Sequence, residues 1–375
     1  MSFLCCRNIE TSKCIGKSNQ SPHVVFLLQV YWSILYRCTS SQEGGTLFQL
    51  RNLINRRNVV KDVRTDMNAT EDFFETVGVG HIVAATLQFF GMRDISDSPQ
   101  NQCLKDAVTL PQPEMWSVLS AWIGNLLHKF VSSSLACPHH PNFSPDTSRD
   151  SIYEYACTVL SMAMFVFEFD DAVKEGDGER VYRIWQYLLL QFRASGRIKY
   201  SLEALNLHLQ RYGLAPNIAF QLMWSRFVNS KGGKGKNVAC DFHMEHLNRS
   251  LKMSMLGLGA NITENSVSRA AKCLHTVLEV CDHFDQVNDV PYESGKHSLA
   301  SIKDDAKLIV KELHDRSKVF EEVPGRMHRS FPNCRRNHFG TIDWDTFERW
   351  FEAIKKDFIE IHTKDEEDIY GYYAQ

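Results

Sequence analysis

The segment Cys240-Asp-Phe-His-Met-Glu-His-Leu-Asn-Arg249 is the densest run of side chains able to bind a cation or move a proton. On a helix, Asp241, Glu245 and Asn248 fall at i, i+4 and i+7 and share one face. Two carboxylates and an amide oxygen so placed suit a hard divalent cation, Mg²⁺ or Mn²⁺. His243 and His246 lie on neighbouring faces and would suit a transition metal instead. A purely structural role competes with both: Asp241 sits where a helix begins, at the positive end of its dipole, and the other polar groups can bridge to neighbouring helices. The chain contains no HExxH, so a zincin-type metalloprotease is excluded.

Directly upstream lies Lys231-Gly-Gly-Lys-Gly-Lys236. Glycines let backbone N–H groups approach a phosphate, and Lys231, Lys234 and Lys236 supply charge for a nucleic-acid backbone. The run is not a phosphate-binding P-loop, since no Ser or Thr follows its Gly-Lys pairs. A second cluster, Glu168, Asp170, Asp171, Glu175 and Asp177, is acidic but lacks the spacing of an EF-hand, and helix capping accounts for it equally well. Cys137, His139 and His140 are good zinc ligands without a familiar fourth partner. Arg56, Arg57 and Lys61, Arg193, Arg197 and Lys199, and Arg335 and Arg336 would form a phosphate-binding surface if folding brought them together. Neither a G-x-S-x-G elbow nor a dinucleotide-binding glycine fingerprint is present.

The elements that must position these groups are helical. Asn68-Ala-Thr-Glu71 has the form of a capping box ahead of Phe73, Phe74, Val77, His81, Ala84 and Leu87, with Gly91 as a stop. Pro113 opens a stripe of Trp116, Leu119, Ile123, Leu126, Leu127 and Phe130. Residues 151–169 are apolar nearly all round and predict a central core helix. Helical spacing continues through 181–192, 201–212 and 216–227. After the glycine-lysine loop a helix begins near Asp241. Another follows Asn261-Ile-Thr-Glu264, and two more carry Leu299 to Leu313 and Phe347 to Phe358. Phe165 to Phe169 is the best strand pattern, in a helical context. The expected class is predominantly α, a multi-helix globular domain with little or no β-sheet. It divides into a divergent segment at 1–20, a helical domain at 21–330, and an appendage with an amphipathic helix at 331–375.

Hydrophobic residues make up 43% of the 375, enough for a sizeable core. The formal net charge of −3 confines any nucleic-acid role to a local patch. The eleven cysteines are scattered, without a CxxC pair, and point to a reducing, intracellular setting, nuclear or cytoplasmic. The apolar runs at Val24–Tyr36 and Tyr155–Phe167 are interrupted and shorter than the about 20 residues a bilayer needs, so no membrane association is expected.

Five segments in order carry a resemblance: Thr46 to Asn58, Phe167 to Gly178, Trp224 to Asn229, Asp241 to Asn248 and Gly257 to Asn261. Together they resemble a eukaryotic family of domains of unknown function, multi-copy and associated with mobile elements. The resemblance spans roughly residues 23 to 330 and implies further N-terminal sequence with a Gly-Asp-Gln segment, so that this chain looks N-terminally truncated. If such a family descends from RNase H-like transposases, the missing Asp would be one metal ligand, and catalysis here would be incomplete. Three functions follow as expectations. The first is a transposon-associated helical protein that binds nucleic acid without catalysis. The second is a helical protein–protein interaction scaffold, docking through the helix at 343–361. The third is a metal-dependent nuclease using Asp241 and Glu245.

Overall fold

The computed structural model describes residues 22–101, 105–106, 109–131, 149–230, 232–256, 262–289, 302–332, 334, 336 and 343–356. Within them the chain is predominantly α-helical, as its periodicity predicts. The helices are α1 (Pro22–Leu35), α2 (Leu47–Leu53), α3 (Met67–Phe90), α4 (Gln112–Phe130), α5 (Ser151–Glu175), α6 (Gly178–Ala194) and α7 (Ile198–Gly213). Then come α8 (Pro216–Trp224), α9 (Cys240–Met255), α10 (Glu264–Val287) and α11 (Ile302–Lys311), the last running into a π-helical turn at Glu312–Arg316. A final described helix covers 344–356. Two short antiparallel strands, β1 (Phe227–Val228) and β2 (Val238–Ala239), pair Phe227 with Ala239 and Val228 with Val238.

Helix α5 occupies the centre, in contact with α1, α3, α4 and α6. Tyr153, Tyr155, Ala156, Cys157, Val159, Leu160, Met162, Ala163, Val166 and Phe169 are buried, while Glu168 and Asp171 leave one side of its later turns in solvent. Phe165 to Phe169, strand-like in sequence, continue this helix because its hydrogen-bonded ladder passes through them unbroken. Glycines in α3 let other helices come close. A Cβ at Gly80 would lie 2.4 Å from Ile309 of α11, and one at Gly78 would lie 2.7 Å from Phe167 of α5. By length and mean hydropathy, 1.3 over its most apolar window, α3 is the one described helix able to cross a membrane. It is instead packed inside the protein, with Phe73, Phe74, Val77, Ala84 and Ala85 in the core.

The caps correct several boundaries. Asp66, not Asn68, caps α3 by accepting from the Ala69 N–H at 3.1 Å, and Gly91 ends it in the left-handed region as its position predicts. Thr263 and Ser266, rather than a box from Asn261 to Glu264, form the capping box of α10; Asn261 itself lies outside the described residues. In α4 the predicted core stripe is largely uncovered: Phe130 is its buried residue, while Trp116 and Ile123 remain more than half exposed.

The segment 317–331 folds back over the start of α5. Asp150 is almost completely enclosed and caps that helix, its Oδ1 accepting from Ile152 N and Tyr153 N. Its Oδ2 accepts from Val323 N at 2.8 Å and from Arg326 Nε and Nη2 at 2.9 and 2.6 Å. One turn on, the Tyr155 hydroxyl donates to Leu35 O at 2.7 Å and accepts from Leu47 N at 3.1 Å. Phe320 and Phe331 belong to the same core, and Cys334 packs against it.

Two ionisable groups on α3 are shifted by burial, His81 fully buried and Glu71 partly. His81 is fully buried, its Nδ1–H donating to Val77 O at 2.8 Å while Nε2 has no partner, and burial pushes the imidazole down from 6.5 to about 4. Glu71, on the same helix, faces Asp170, Glu75 and Lys174; burial first, then the two carboxylates, push it up from 4.5 to about 8.

Removing the Asp150 carboxylate leaves Arg326 without its counter-ion. Asp150→Ala should therefore cost about 3–5 kcal/mol, read as a lowered unfolding midpoint in urea. The pH dependence of stability follows from the two shifts. The depressed His81 contributes fully above its unfolded 6.5, and that contribution, on the order of 3 kcal/mol, is lost as pH falls towards 4. The raised Glu71 acts oppositely, its protonated form favouring the fold below 4.5 and that advantage being lost as pH rises through 8. Stability should therefore change little between pH 4.5 and 6.5 and decline from 6.5 to 8. In urea titrations across pH, Glu71→Gln should flatten the upper decline and His81→Leu should extend it down to 4.5.

Candidate functional site

The run from Trp224 to Asn248 folds as a unit of hairpin and helix at the C-terminal end of α5. Helix α5 stops at Gly176, in the left-handed region, and its Lys174 carbonyl accepts from both Asn237 N at 3.1 Å and Asn237 Nδ2 at 2.8 Å. This single asparagine fastens the loop between β1 and β2 to the central helix. Across the loop, Asn229 Nδ2 donates to Gly233 O at 2.7 Å, and Gly232, Gly233 and Gly235 all have positive φ. Side chains other than glycine adopt such backbone rarely, which explains the Gly-Gly-Lys-Gly composition.

The loop presents Lys234 and Lys236 to solvent. Lys234 is 88% exposed, and its Nζ stands 4.0 Å from Glu175. Lys231 lies outside the described residues. The end of the hairpin leads directly into α9, whose first residue, Cys240, donates its N–H to Arg226 O at 2.8 Å. Ala239 occupies the cap position and offers no side-chain acceptor to the N–H groups that begin α9.

Asp241 and Glu245 share a face of α9 as their spacing predicts, both half-buried, with Asn248 exposed beyond them. Asp241 accepts from the Phe242 N–H at 2.8 Å and lies in the field of Arg226. Burial lowers the Arg226 guanidinium, while Asp241 and Glu203 act to raise it. Phe242 anchors the helix in the body and meets His246 edge to face at 4.4 Å. Burial, then Arg249 and His243, lower the His246 imidazole. Among the described residues no group of three or more His, Cys, Asp or Glu side chains is placed to hold a metal ion.

The acidic cluster at 168–177 is divided among partners. Arg180 bridges Glu168 at 2.9 Å and Asp171 at 2.7 Å, and Lys174 pairs with Asp170 at 2.6 Å. Asp177 caps α6 by accepting from Arg180 N. The basic groups do not form one surface. Arg56 is engaged by Asp72 and Asp305, and Arg336 is turned inward to Lys129 O and the Tyr153 hydroxyl. Arg193 covers the Trp350 ring of the helix at 344–356 at 5.1 Å. Arg197 is lowered by burial and by the nearby Arg64, while Arg57, Lys61 and Lys199 are exposed. Cys137, His139, His140 and Arg335 lie outside the described residues.

Sequence periodicity overlooked the hairpin because its strands are two residues each. The signal that marks it is local: Phe-Val and Val-Ala flanking a glycine-rich loop.

The structure therefore defines a helical domain bearing a lysine-tipped hairpin, with no metal-holding constellation among its described residues. The chain belongs to a family of unknown function, DUF6589, which matches over residues 27–297. That match bears out the resemblance to a domain of unknown function. No curated protein and no solved structure matches the chain.

Asn237→Ala should loosen the hairpin on α5 while leaving the global unfolding midpoint nearly unchanged. The side-chain bond it removes is worth about 1 kcal/mol locally, so amide exchange in the hairpin should quicken roughly fivefold, while the backbone bond from Asn237 N to Lys174 O remains.

Proposed function

We propose that this protein is a mobile-element-derived, non-catalytic helical member of its family that grips a nucleic-acid backbone with the hairpin at 229–237. The observation that carries the reading is the pair Lys234 and Lys236, held out to solvent on a glycine loop of positive φ. Cationic side chains and a glycine backbone that a phosphate can approach closely favour the same chemistry. With a net charge of −3 the chain has no general attraction for nucleic acid, so binding depends on this patch. The mobile-element origin comes from the family resemblance and supplies the context in which a nucleic-acid contact makes sense. A nuclease built on Asp241 and Glu245 would need a further carboxylate beside them.

Fluorescence anisotropy with a mixed-sequence duplex across a salt series tests the reading. Binding should weaken linearly in log[salt], and Lys234→Gln with Lys236→Gln should reduce the slope by roughly 2, about 0.9 for each phosphate left without a lysine. Salt-insensitive binding, or a slope untouched by the double substitution, would sink it.

A further inference from the structure

Helix α10 packs on α9, and Leu274 is its one buried residue. Adjoining that contact, a stripe of Ala270, Cys273, Val277, Val280, Phe284 and Val287 recurs at intervals of three and four, its half-buried Ala270 one turn before Leu274 and the rest exposed. This is the seam pattern of a coiled coil, extending over about 25 Å of helix. Val277, Val280, Phe284 and Val287 are 50–68% exposed. A regular apolar seam this open on a 24-residue helix is a surface awaiting a second helix.

Two gradients along the seam identify the occupant. The first is size. Small side chains, Ala270 and Cys273, stand at the N-terminal end, and the larger Phe284 and Val287 at the other. The second is charge. Past Glu264 in its first turn, the first half carries Arg269 and Lys272 and no other acid, whereas Glu279, Asp282 and Asp285 fill the second half without Lys or Arg. Glu264 suits the helix dipole at the start, but acids without Lys or Arg in the second half run against it, and the helix alone gives no reason for them.

We propose that α10 is a dimerisation element and that its occupant is α10 of a second copy of this chain, antiparallel about a twofold axis between Val277 and Val280. That arrangement cancels both gradients. Ala270 faces the partner's Val287, Cys273 faces the partner's Phe284, and Val277 faces the partner's Val280, so every layer joins one smaller and one larger or two equal side chains. The basic half of each helix lies along the acidic half of the other. At the distance of these flanking charges salt screens much of the attraction, so charge selects the orientation and the apolar seam supplies the affinity. A parallel pair would set Phe284 against the partner's Phe284, Ala270 against the partner's Ala270, and like charges along both halves. The proposal stands apart from the nucleic-acid reading and uses a different helix.

Sedimentation equilibrium of the full chain is the test. The wild type should dimerise in the micromolar range, and Phe284→Glu should weaken the dimer at least about 30-fold, the scale of an interface hot spot, with helix content unchanged by circular dichroism. Cys273→Phe should also weaken it by setting Phe against the partner's Phe284. Combining Cys273→Phe with Phe284→Cys restores each layer's volume and should recover the wild-type dissociation constant, a rescue that only antiparallel pairing provides. A wild type that stays monomeric across the micromolar range, a dimer indifferent to Phe284→Glu, or a swap without rescue would overturn the proposal.

Discussion

The carboxylate of Asp150 is the joint on which the described fold turns. Each of its oxygens serves a different part of the chain. Oδ1 satisfies two of the N–H groups that begin α5, and Oδ2 holds the backbone of Val323 and the guanidinium of Arg326. A carboxylate so thoroughly enclosed is tolerated because its acceptor sites are filled by charge-assisted bonds. Through Arg326 the joint reaches the carbonyls of Ser317 and Lys318, closing the turn after the π-helical segment. The buried aromatic residues Phe320 and Phe331 are thereby delivered to the core.

From that joint the constraint passes along α5. Tyr155 links α1 and the start of α2 to the same helix one turn further on, so three distant stretches of chain converge on its first two turns. The opposite end, about 36 Å away for a helix of this length, is where Asn237 fastens the lysine hairpin. The candidate site is thus carried at the end of the central helix of the core. A support of this kind keeps the loop's position while its lysines stand in solvent.

The periphery is organised differently. Helices α4 and α10 are amphipathic, yet each leaves large apolar side chains uncovered. Their periodicity resembles that of core helices because a seam meant for a partner and a seam meant for the core obey the same helical geometry. Only the neighbours distinguish them. The buried His81 and partly buried Glu71 show the converse case, ionisable groups on an apolar helix, with protonation shifted towards the neutral form in each.

The sequence by itself determined the helical class, the core position of α5, the stop at Gly91 and the shared face of Asp241 and Glu245, because these depend on periodicity and on backbone freedom within a few residues. Exact caps were less legible: Asp66 and Asn68 are both good cap residues, and only the closing hydrogen bond to Ala69 distinguishes them. The hairpin was signalled by its glycines, but two-residue strands carry too little alternation to be read. Tertiary structure alone decided that Asp150 would clamp Arg326, 176 residues away in sequence, that Arg180 would take up Glu168 and Asp171, and that the seam of α10 would face outward. Those outcomes rest on which surfaces and charges meet across long loops, and local spacing holds no information about the partner that arrives from elsewhere in the chain.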